Sequence, residues 1–388
     1  MHSDEANTRR SLGILLEQAV KRRLVSDVPV GTFLSGGTDS SLVTAIAQKL
    51  THQPVKTFSI GFKESKFDES QFARKVAEHL KTDHHEFILS QDDALERMEK
   101  ILEVYDQPYA DSSAIPTMMV SEMARKHVTV ALSGDGGDEL FMGYGMYNWA
   151  RRLNNPWLAS SRPLIHFLLN RHPDNRYKRA AHLFARHNSE RKKSHIFSQE
   201  QYMFGEGELE NLLQPGWKRP VKLMEKNRVR RRELSPQEEQ ALFDLKYYLK
   251  DDLLVKVDMA SMRYGLEVRV PLLDHRVVQF ALNIDQRLKV KGPVAKYILK
   301  EVLYSHVPAH LFDRPKWGFS IPLAGWLKKE LRHLPEDYLS EESVAAAGVV
   351  DPAVVKKLKE QFFNGADYLY NRLWLLVLLH KWLREFNP

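Results

Sequence analysis

Hydrophobic and polar positions in the N-terminal part of the chain alternate between two spacings. Residues 11–25 repeat apolar side chains at helical intervals, as in Leu12, Leu16 and Val20, whereas Val28 to Ser35 form a short apolar run typical of a buried strand. The same reasoning predicts strands at 55–62, 84–89 and 128–134, and helices at 41–50, 69–80, 94–105 and 116–126. Strands therefore alternate with helices.

This alternation predicts an α/β fold with a doubly wound parallel sheet, covered by helices on both faces, and with additional helices towards the C-terminus. In such sheets the loops at the carboxyl ends of the strands carry the ligand site. We expect one domain over 1–388, with an α/β core at 12–147, a basic and mostly helical segment at 148–234, and a helical part at 235–388. In the last part, Ser235 and Glu238 predict a capping box that opens a helix running to about Val257.

Charge and composition narrow the possible functions only slightly. The chain has 57 Lys and Arg against 50 Asp and Glu, a net charge of +7, which suits an anionic substrate but indicates nucleic acid only weakly. It contains no cysteine, which excludes disulfides, zinc thiolates and a cysteine nucleophile. The N-terminus is polar, and the apolar run at 373–379 is too short to span a bilayer. We therefore expect a cytoplasmic protein with no membrane partner.

The stretch "TFLSGGTDSSLV", Thr32 to Val43, ends the first predicted strand with glycines and begins a helix. Glycines let backbone N–H groups approach an anion, and the helix N-terminus that follows adds its dipole. Asp39 would repel a phosphate unless a cation lay between them, so it indicates a magnesium ligand. The alternative is an ordinary glycine turn in which Asp39 caps the helix.

A second strand ends in the same way, at "VALSGDGGDELFMGY", Val130 to Tyr144. Its loop carries Asp135, Asp138 and Glu139. Because carboxyl ends of neighbouring parallel strands meet at one edge of a sheet, we expect Asp39 and Asp138 to share magnesium ions that bridge the phosphates of ATP. An acidic loop that merely caps a helix is the alternative for this segment taken alone.

The first loop resembles the pyrophosphate-binding loop of the ATP-pyrophosphatase superfamily, whose members cleave ATP between its α and β phosphates. With "FSIGF", "SGDGGDE", "YGLEVRVPLLD" and "RPKWGFSIP" in the same order, the chain closely resembles the synthetase half of glutamine-dependent asparagine synthetases. That resemblance implies a fold like that of the adenine nucleotide alpha hydrolases, and ATP and Mg²⁺ as cofactors. It implies that adenosine is held by Leu34, Ile60, Ser133 and Gly134, and pyrophosphate by Ser35, Gly36, Gly37, Asp39 and Ser40.

The resemblance also implies two catalytic residues. Lys316 matches the family lysine that contacts the α-phosphate and the tetrahedral intermediate, and Asp135 stands where many members carry the glutamate proposed to take a proton from ammonia. The implied reaction converts a carboxylate, most simply that of aspartate, to an acyl-adenylate that ammonia attacks. Such a site must position the carboxylate, neutralise the phosphates and accept a proton.

Other polar residues have competing interpretations. Arg269 in "EVRVPLLD" is a candidate ligand of the substrate carboxylate, but an internal ion pair with Glu267 or Asp274 is slightly favoured. His84 and His85 lie side by side on a predicted strand, where neighbouring side chains point to opposite faces, so a shared metal is not expected.

Full-length members carry an N-terminal glutaminase domain with a cysteine nucleophile, which this sequence lacks. We therefore expect ammonia from solution or from a separate glutaminase chain. Three alternatives stay open: an enzyme that amidates or cyclises another carboxylate, a tRNA-modifying enzyme suggested by the basic run "KNRVRRREL", and a non-catalytic nucleotide-binding regulator. Asp135 in place of glutamate favours the first of them.

Overall fold

The computed structural model of the chain describes residues 2–62, 70–185, 191–217, 232–313 and 321–386. The chain divides into two compact units. The first comprises Met1–Val104, Asp111–Tyr144 and Ala241–Ile321, and the second comprises Tyr105–Ala110, Gly145–Gln240 and Pro322–Pro388.

A five-stranded parallel sheet forms the centre of the first unit. Its strands are β1 (Val30–Phe33), β2 (Lys56–Phe62), β3 (Asp83–Leu89), β4 (Val130–Leu132) and β5 (Glu267–Arg269). They lie in the order β3-β2-β1-β4-β5, so that Thr32 of β1 pairs with Thr57 of β2 on one side and with Leu132 of β4 on the other. The chain reverses its direction of winding between β1 and β4, which is where open α/β sheets bind ligands. The predicted α/β fold with a parallel sheet is confirmed.

Helices of the first unit pack against this sheet. They are α1 (Glu5–Arg23), α2 (Thr38–Leu50), α3 (Ser70–Leu80), α4 (Gln91–Glu99), α5 (Ile101–Val104), α6 (Ala114–Arg125), α7 (Gly137–Phe141), α15 (Leu254–Met262), α16 (His275–Leu282), α17 (Gln286–Lys289) and α18 (Tyr297–Leu303). A two-stranded antiparallel ribbon of β6 (Val290–Lys291) and β7 (Val294–Ala295) precedes α18. Buried apolar side chains from α1, α2, α16 and α18 form the main core, with Leu132 of β4 among them.

The helix α1 is longer than the apolar spacing indicated. Its N-cap is Asp4, whose carboxylate accepts a hydrogen bond from the Asn7 backbone N–H, and its last turn carries Lys21, Arg22 and Arg23. An acidic start and a basic end both complement the helix dipole. The polar first turn lies outside the apolar stripe, which explains why periodicity alone placed the start several residues later.

The segment after Ser235 differs from the prediction in two ways. The capping box is present, with the Glu238 N–H donating to Ser235 Oγ and the Ser235 N–H donating to Glu238 Oε2. The single helix predicted to reach about Val257 is instead α14 (Pro236–Lys246), a π-helical stretch at Leu249–Leu253, and α15. The strand β5 was also not predicted, because its three residues carry two charged side chains and read as a loop.

The second unit is built mainly of helices. They are α8 (Met146–Leu153), α9 (Pro156–Ser160), α10 (Arg162–Asn170), α11 (Asn175–Leu183), α12 (Lys192–Glu200), α13 (Glu206–Leu212), α19 (Leu323–Lys328), α20 (His333–Tyr338), α21 (Glu341–Ala347), α22 (Pro352–Phe363) and α23 (Tyr370–Phe386). The chain passes from this unit to the first one within α14. Across the described ranges, no helix has the length and apolar character needed to cross a bilayer.

Candidate active site

The loop that follows β1 is organised by its own serines. Ser35 Oγ and Ser40 Oγ lie 3.0 Å apart at hydrogen-bonding distance, and the Ser35 backbone N–H donates to Ser40 Oγ at 3.2 Å. The Gly37 N–H donates more weakly to Ser35 Oγ, at 3.4 Å. These contacts tie the end of the strand to the first turn of α2, so the loop is shaped before any ligand binds.

Helix α2 begins directly after this loop and has no side-chain cap. Its N-cap is Gly37, which has no side chain to offer, and no side-chain hydrogen bond caps the helix. The first N–H groups of a helix have no partner within the helix, so an uncapped start is suited to binding an anion. The start of α2 therefore points to a phosphate group as its partner.

The loop that follows β4 packs directly on the start of α2. A methyl group at Gly134 would come within 2.6 Å of the Ser40 nitrogen, and one at Gly137 would overlap the carboxylate of Asp39. Glycine is therefore required at both positions by the close approach of the two loops. The two strand ends meet at one edge of the sheet, as the sequence predicted.

The carboxylates of Asp39 and Asp138 converge on one buried cation. Lys296 Nζ contacts Asp39 Oδ2 and lies 2.7 Å from Asp138 Oδ1, and the lysine is only 6% exposed. Lys296 comes from the turn between β7 and α18, where it adopts a left-handed backbone conformation with φ of 56°. Residues distant in the sequence thus build one charged centre between the two loops.

The charge of Lys296 is fixed by this arrangement. Burial by itself lowers the pKa of Lys296, but Asp39 and Asp138 together raise it above its ordinary value. The lysine is therefore an ammonium at neutral pH. Two carboxylates that converge on a positive charge beside an uncapped helix are also the donor set that Mg²⁺ takes together with phosphate oxygens and water. The residues present fit such an ion. No group of three or more metal-ligating side chains was found among the residues that the structure covers.

A cavity of about 480 Å³ opens at these loops. Its walls include Leu34 and Phe58, the residues 35–40 and 133–139, and three lysines, Lys256, Lys296 and Lys300. Ser133 is 3% exposed, and its Oγ atom has no hydrogen-bond partner within the described part of the chain. A buried hydroxyl without a partner at a cavity wall is a candidate contact for a ligand.

Glu139 is a buried carboxyl group at the same cavity. It is 3% exposed, and Tyr144 Oη donates a hydrogen bond to its Oε1 atom at 2.7 Å. Burial, and then the neighbouring charge of Asp138, raise the pKa of Glu139 to about 7. Glu139 is therefore part of the wall and was not singled out as a site residue by the sequence.

This geometry agrees with what known proteins show. The family model described as Asparagine synthase matches residues 11–384, which is nearly the whole chain. The chain belongs to the asparagine synthase family. The predicted relationship is confirmed.

Individual members of the family cover the chain almost end to end. Asparagine synthetase [glutamine-hydrolyzing] 1 of Bacillus subtilis is 31% identical over 378 residues, covering 94% of this chain and 57% of the relative. A putative asparagine synthetase [glutamine-hydrolyzing] of Mycobacterium bovis is 32% identical over 383 residues, covering 95% of this chain and 56% of the relative. The chain thus spans little more than half the length of these relatives.

A shorter match is closer. A putative asparagine synthetase [glutamine-hydrolyzing] 2 of Methanocaldococcus jannaschii is 52% identical over 131 residues, which is 34% of this chain and 25% of the relative. Each of these proteins is a relative, and its name describes that protein.

Most residues that the asparagine synthase resemblance indicated lie at the cavity. The wall contains Leu34, the two loops with Ser35, Gly36, Gly37, Asp39 and Ser40, and also Ser133, Gly134, Asp135 and Asp138. Ile60 is buried at 6% exposure and does not line the cavity; Phe58 and Ser59 of the same strand do. The predicted contact of Ile60 with adenosine is therefore not carried further.

Arg269 has partners away from the cavity wall. Its Nε atom donates to Glu267 Oε1 at 2.6 Å, and its Nη1 atom donates to the backbone carbonyls of Arg23 and Val25. These contacts tie β5 to the end of α1. Arg269 thus has the internal ion pair that was its favoured alternative, and we do not retain it as a substrate ligand.

Two sequence features have different outcomes. Lys316 and its loop, as well as most of the basic run at 226–234, lie outside the described residues. His84 hydrogen-bonds with Thr57 and Ser59, whereas His85 stacks on the ring of Phe58, so the two imidazoles have separate surroundings.

The sequence missed two lysines that the fold brings to the cavity. Lys296 is the partner of Asp39 and Asp138, and Lys256 of α15 is hydrogen-bonded to Asp111 and Ser113. Neither stands in a local pattern that marks function, since a lysine among apolar residues on a helix is usually a surface residue. Only the motif order of the asparagine synthase family could have drawn attention to these segments.

Proposed function

We propose that the chain is an ATP-dependent, AMP-forming amide ligase. It adenylates a carboxylate, most simply the side chain of aspartate, and transfers ammonia to it, giving asparagine, AMP and pyrophosphate. The observation that carries the proposal is the convergence of Asp39 and Asp138, from two neighbouring strand ends, on Lys296 beside the uncapped start of α2. That is an anion site with compensating acidic groups, as an ATP·Mg²⁺ complex requires.

The two loops would divide ATP between them. The phosphates would contact the backbone N–H groups at Gly36, Gly37 and the start of α2, with the hydroxyl of Ser40 beside them. The adenosine would lie against Leu34 and the loop at Ser133, whose buried hydroxyl lacks a partner among the described residues. This division follows the uncapped helix on one side and the apolar wall on the other.

Asp39 and Asp138 would hold Mg²⁺ in this proposal. When bound, the ion would neutralise charge on the departing pyrophosphate. Lys296 would keep the two carboxylates together before the nucleotide arrives, since its ammonium already contacts both of them. The lysine would then contribute a fixed positive charge at the phosphates.

The chemistry requires a proton acceptor as well as charge neutralisation. A carboxylate is a poor electrophile, and conversion to an acyl-adenylate gives it AMP as a leaving group. Ammonia that attacks the carbonyl must lose a proton, and Asp135 at the cavity wall is our candidate to take it. Lys316 would contact the α-phosphate, which is the role its motif resembles.

The nitrogen source is proposed to be ammonia itself. This sequence has no cysteine that could act as a glutaminase nucleophile, so ammonia would come from solution or from a separate glutaminase chain. ATP and aspartate are both available in the cytoplasm, which is where we propose the reaction occurs.

Product analysis tests the proposal. The chain is incubated with ATP, MgCl₂, ammonium chloride and L-aspartate, and nucleotides, pyrophosphate and amide are quantified. We expect AMP, pyrophosphate and asparagine in equal amounts, each dependent on aspartate. Formation of ADP and phosphate, or aspartate-independent cleavage of ATP alone, would contradict the assignment.

A second acceptor class is a real alternative within the same mechanism. Asp135 is one methylene shorter than the glutamate of many relatives, which alters where the proton acceptor can reach. An enzyme that amidates or cyclises a different carboxylate would be consistent with that difference. Carboxylate-dependent ATP–pyrophosphate exchange across a panel of acids separates the two, because exchange with aspartate at the highest rate supports asparagine formation.

A further inference from the structure

Lys256 is a second buried cation at the cavity. It lies on α15, is 8% exposed, and lines the same cavity as Lys296. Its Nζ atom donates hydrogen bonds to Asp111 Oδ2 at 2.8 Å and to Ser113 Oγ at 2.7 Å. Burial by itself lowers the pKa of Lys256, but Asp111 raises it, and the net result is a pKa above the ordinary value. This side chain is therefore also an ammonium at neutral pH.

The partners of Lys256 are themselves fixed. Asp111 Oδ1 accepts hydrogen bonds from the Ser113 backbone N–H at 2.9 Å and from Ser113 Oγ at 2.7 Å, which closes a tight turn before α6. Helix α15 packs against α6 and begins directly after the π-helical stretch Leu249–Leu253. Single π-helical turns are frequent at functional sites. Lys256 is thus held rigidly from both sides.

One cavity consequently contains two separately built cationic centres. Lys296 is held by Asp39 and Asp138 beside the phosphate-binding loops, and Lys256 is held by Asp111 on the wall formed by α6 and α15. The phosphates of ATP account for the first centre. The second centre is left for the other anionic reactant, which is the acceptor.

The activated carboxylate is a poor match for Lys256. It must lie next to the α-phosphate, and it loses its charge when the acyl-adenylate forms. A buried lysine fixed by Asp111 and Ser113 cannot follow that change, and it gains most from a partner that stays anionic throughout. A second carboxylate on the acceptor meets this requirement.

We propose that Lys256, held by Asp111 and Ser113, binds the carboxylate of the acceptor that is not activated, so that the site selects dicarboxylates. The inference rests on the proposed function, because it takes the cavity to hold ATP and the acceptor together. Asp135 lies within electrostatic reach of Lys256, so the proton-accepting candidate is a neighbour of this centre. Aspartate, with its α-carboxylate on Lys256, is the smallest amino acid that fits.

Matched acceptor pairs test the inference by binding rather than turnover. β-Alanine is aspartate without its α-carboxylate, and propionate is succinate without one carboxylate. Each is titrated calorimetrically into the chain with MgCl₂ and α,β-methylene-ATP. We expect each dicarboxylate to bind roughly 10- to 100-fold more tightly than its partner, the range for one charge-assisted contact. Lys256→Met should weaken the dicarboxylates to the level of the monocarboxylates and leave the latter unchanged.

Three variants control for structure. Lys256→Arg keeps the charge and should retain the preference for dicarboxylates. The double variant Asp111→Asn with Lys256→Met removes both buried charges, so it tests selectivity even if Lys256→Met alone fails to fold. Lys250→Met removes an exposed lysine earlier in the same helical stretch and should change nothing.

The outcomes separate this inference from the proposed function. Equal binding of the members of each pair by the unmodified chain, or selectivity that survives in the double variant, would overturn it. Formation of AMP with β-alanine as efficiently as with aspartate would support the ligase and overturn the role of Lys256. Dicarboxylate binding that depends on Lys256 without any AMP formation would support the subsite and contradict the ligase.

Discussion

Asp39 and Asp138 contact the same nitrogen atom although they follow different strands of the sheet. Asp39 stands in the first turn of α2 after β1, and Asp138 stands in α7 after β4, and both carboxylates contact Lys296 Nζ. Because β1 and β4 are adjacent, the sheet order itself creates this meeting point. The following predictions depend on it.

Asp39→Asn should remove adenylation without unfolding the chain. Asparagine keeps the shape of the side chain but removes one of the two charges that would hold Mg²⁺. We expect carboxylate-dependent ATP–pyrophosphate exchange to fall by at least about 100-fold, in the range seen when a main electrostatic contact is lost. Asp27→Asn, an exposed position before β1, is the control. Exchange near the level of the unmodified chain in Asp39→Asn would remove this residue from the mechanism.

Lys296→Met should leave two neighbouring carboxylates without their buried cation. We expect a loss of stability of about 3–5 kcal/mol in metal-free buffer, because an uncompensated buried charge remains. Millimolar MgCl₂ should recover more of this loss in Lys296→Met than it adds to the unmodified chain, since the ion can take the place of the ammonium. The comparison uses thermal unfolding with and without EDTA. An identical Mg²⁺ response in both proteins would argue against a magnesium site at these carboxylates.

Gly134→Ala should separate the two loops. Its methyl group would lie within 2.6 Å of the Ser40 nitrogen, so the start of α2 must move away from the β4 loop. We expect destabilisation of about 1–3 kcal/mol and weaker ATP binding, measured by urea unfolding and by calorimetry. Gly325→Ala, a position with open space around it, is the matched control and should retain both properties. Unchanged ATP affinity in Gly134→Ala would show that the loop contact does not shape the nucleotide site.

Asp274 should make stability sensitive to acid. Its carboxylate accepts hydrogen bonds from Arg22 at 2.7 Å and Arg23 at 3.0 Å, and it also caps α16 through the Arg276 N–H. Burial alone would raise the pKa of Asp274, but these partners lower it well below its usual range. The stabilising contribution is therefore present above the unfolded-state pKa, near 4, and is lost as pH falls below it.

Asp274→Asn checks this linkage. The variant should be less stable by about 2–3 kcal/mol at pH 7, where the charged hydrogen bonds are lost, and the difference should shrink as pH falls below about 4. Urea unfolding at pH 7 and at pH 3 to 4 gives the comparison. A difference that stays constant with pH would mean that the charge of Asp274 contributes nothing.

The two loops and their meeting were predictable from the sequence because their signals are local. Each is a buried strand, a Ser-Gly turn and a helix start within a dozen or so residues, and a parallel sheet brings such ends together. Asp39 and Asp138 could therefore be paired before any coordinates were known. The relationship to the asparagine synthase family likewise followed from the order of short motifs.

What the sequence could not supply depends on distant contacts. Lys296 is 257 residues from Asp39, and no pattern around it indicates burial. The π-helical stretch at Leu249–Leu253 leaves the apolar spacing nearly helical, so one long helix was predicted in its place. Arg269 had two open roles in the sequence, and its contacts with Arg23 and Val25 are set by tertiary packing.

The most direct test of the central claim is an isotope-transfer experiment. The acceptor that supports the fastest exchange, which we expect to be L-aspartate, is labelled with ¹⁸O in its reacting carboxyl group and converted with ATP, Mg²⁺ and ammonia. Mass spectrometry should find one ¹⁸O atom in each AMP released, because the carboxylate oxygen bonds to the α-phosphate and leaves with it. AMP without ¹⁸O, formed while the amide accumulates, would contradict activation of the carboxylate as its adenylate.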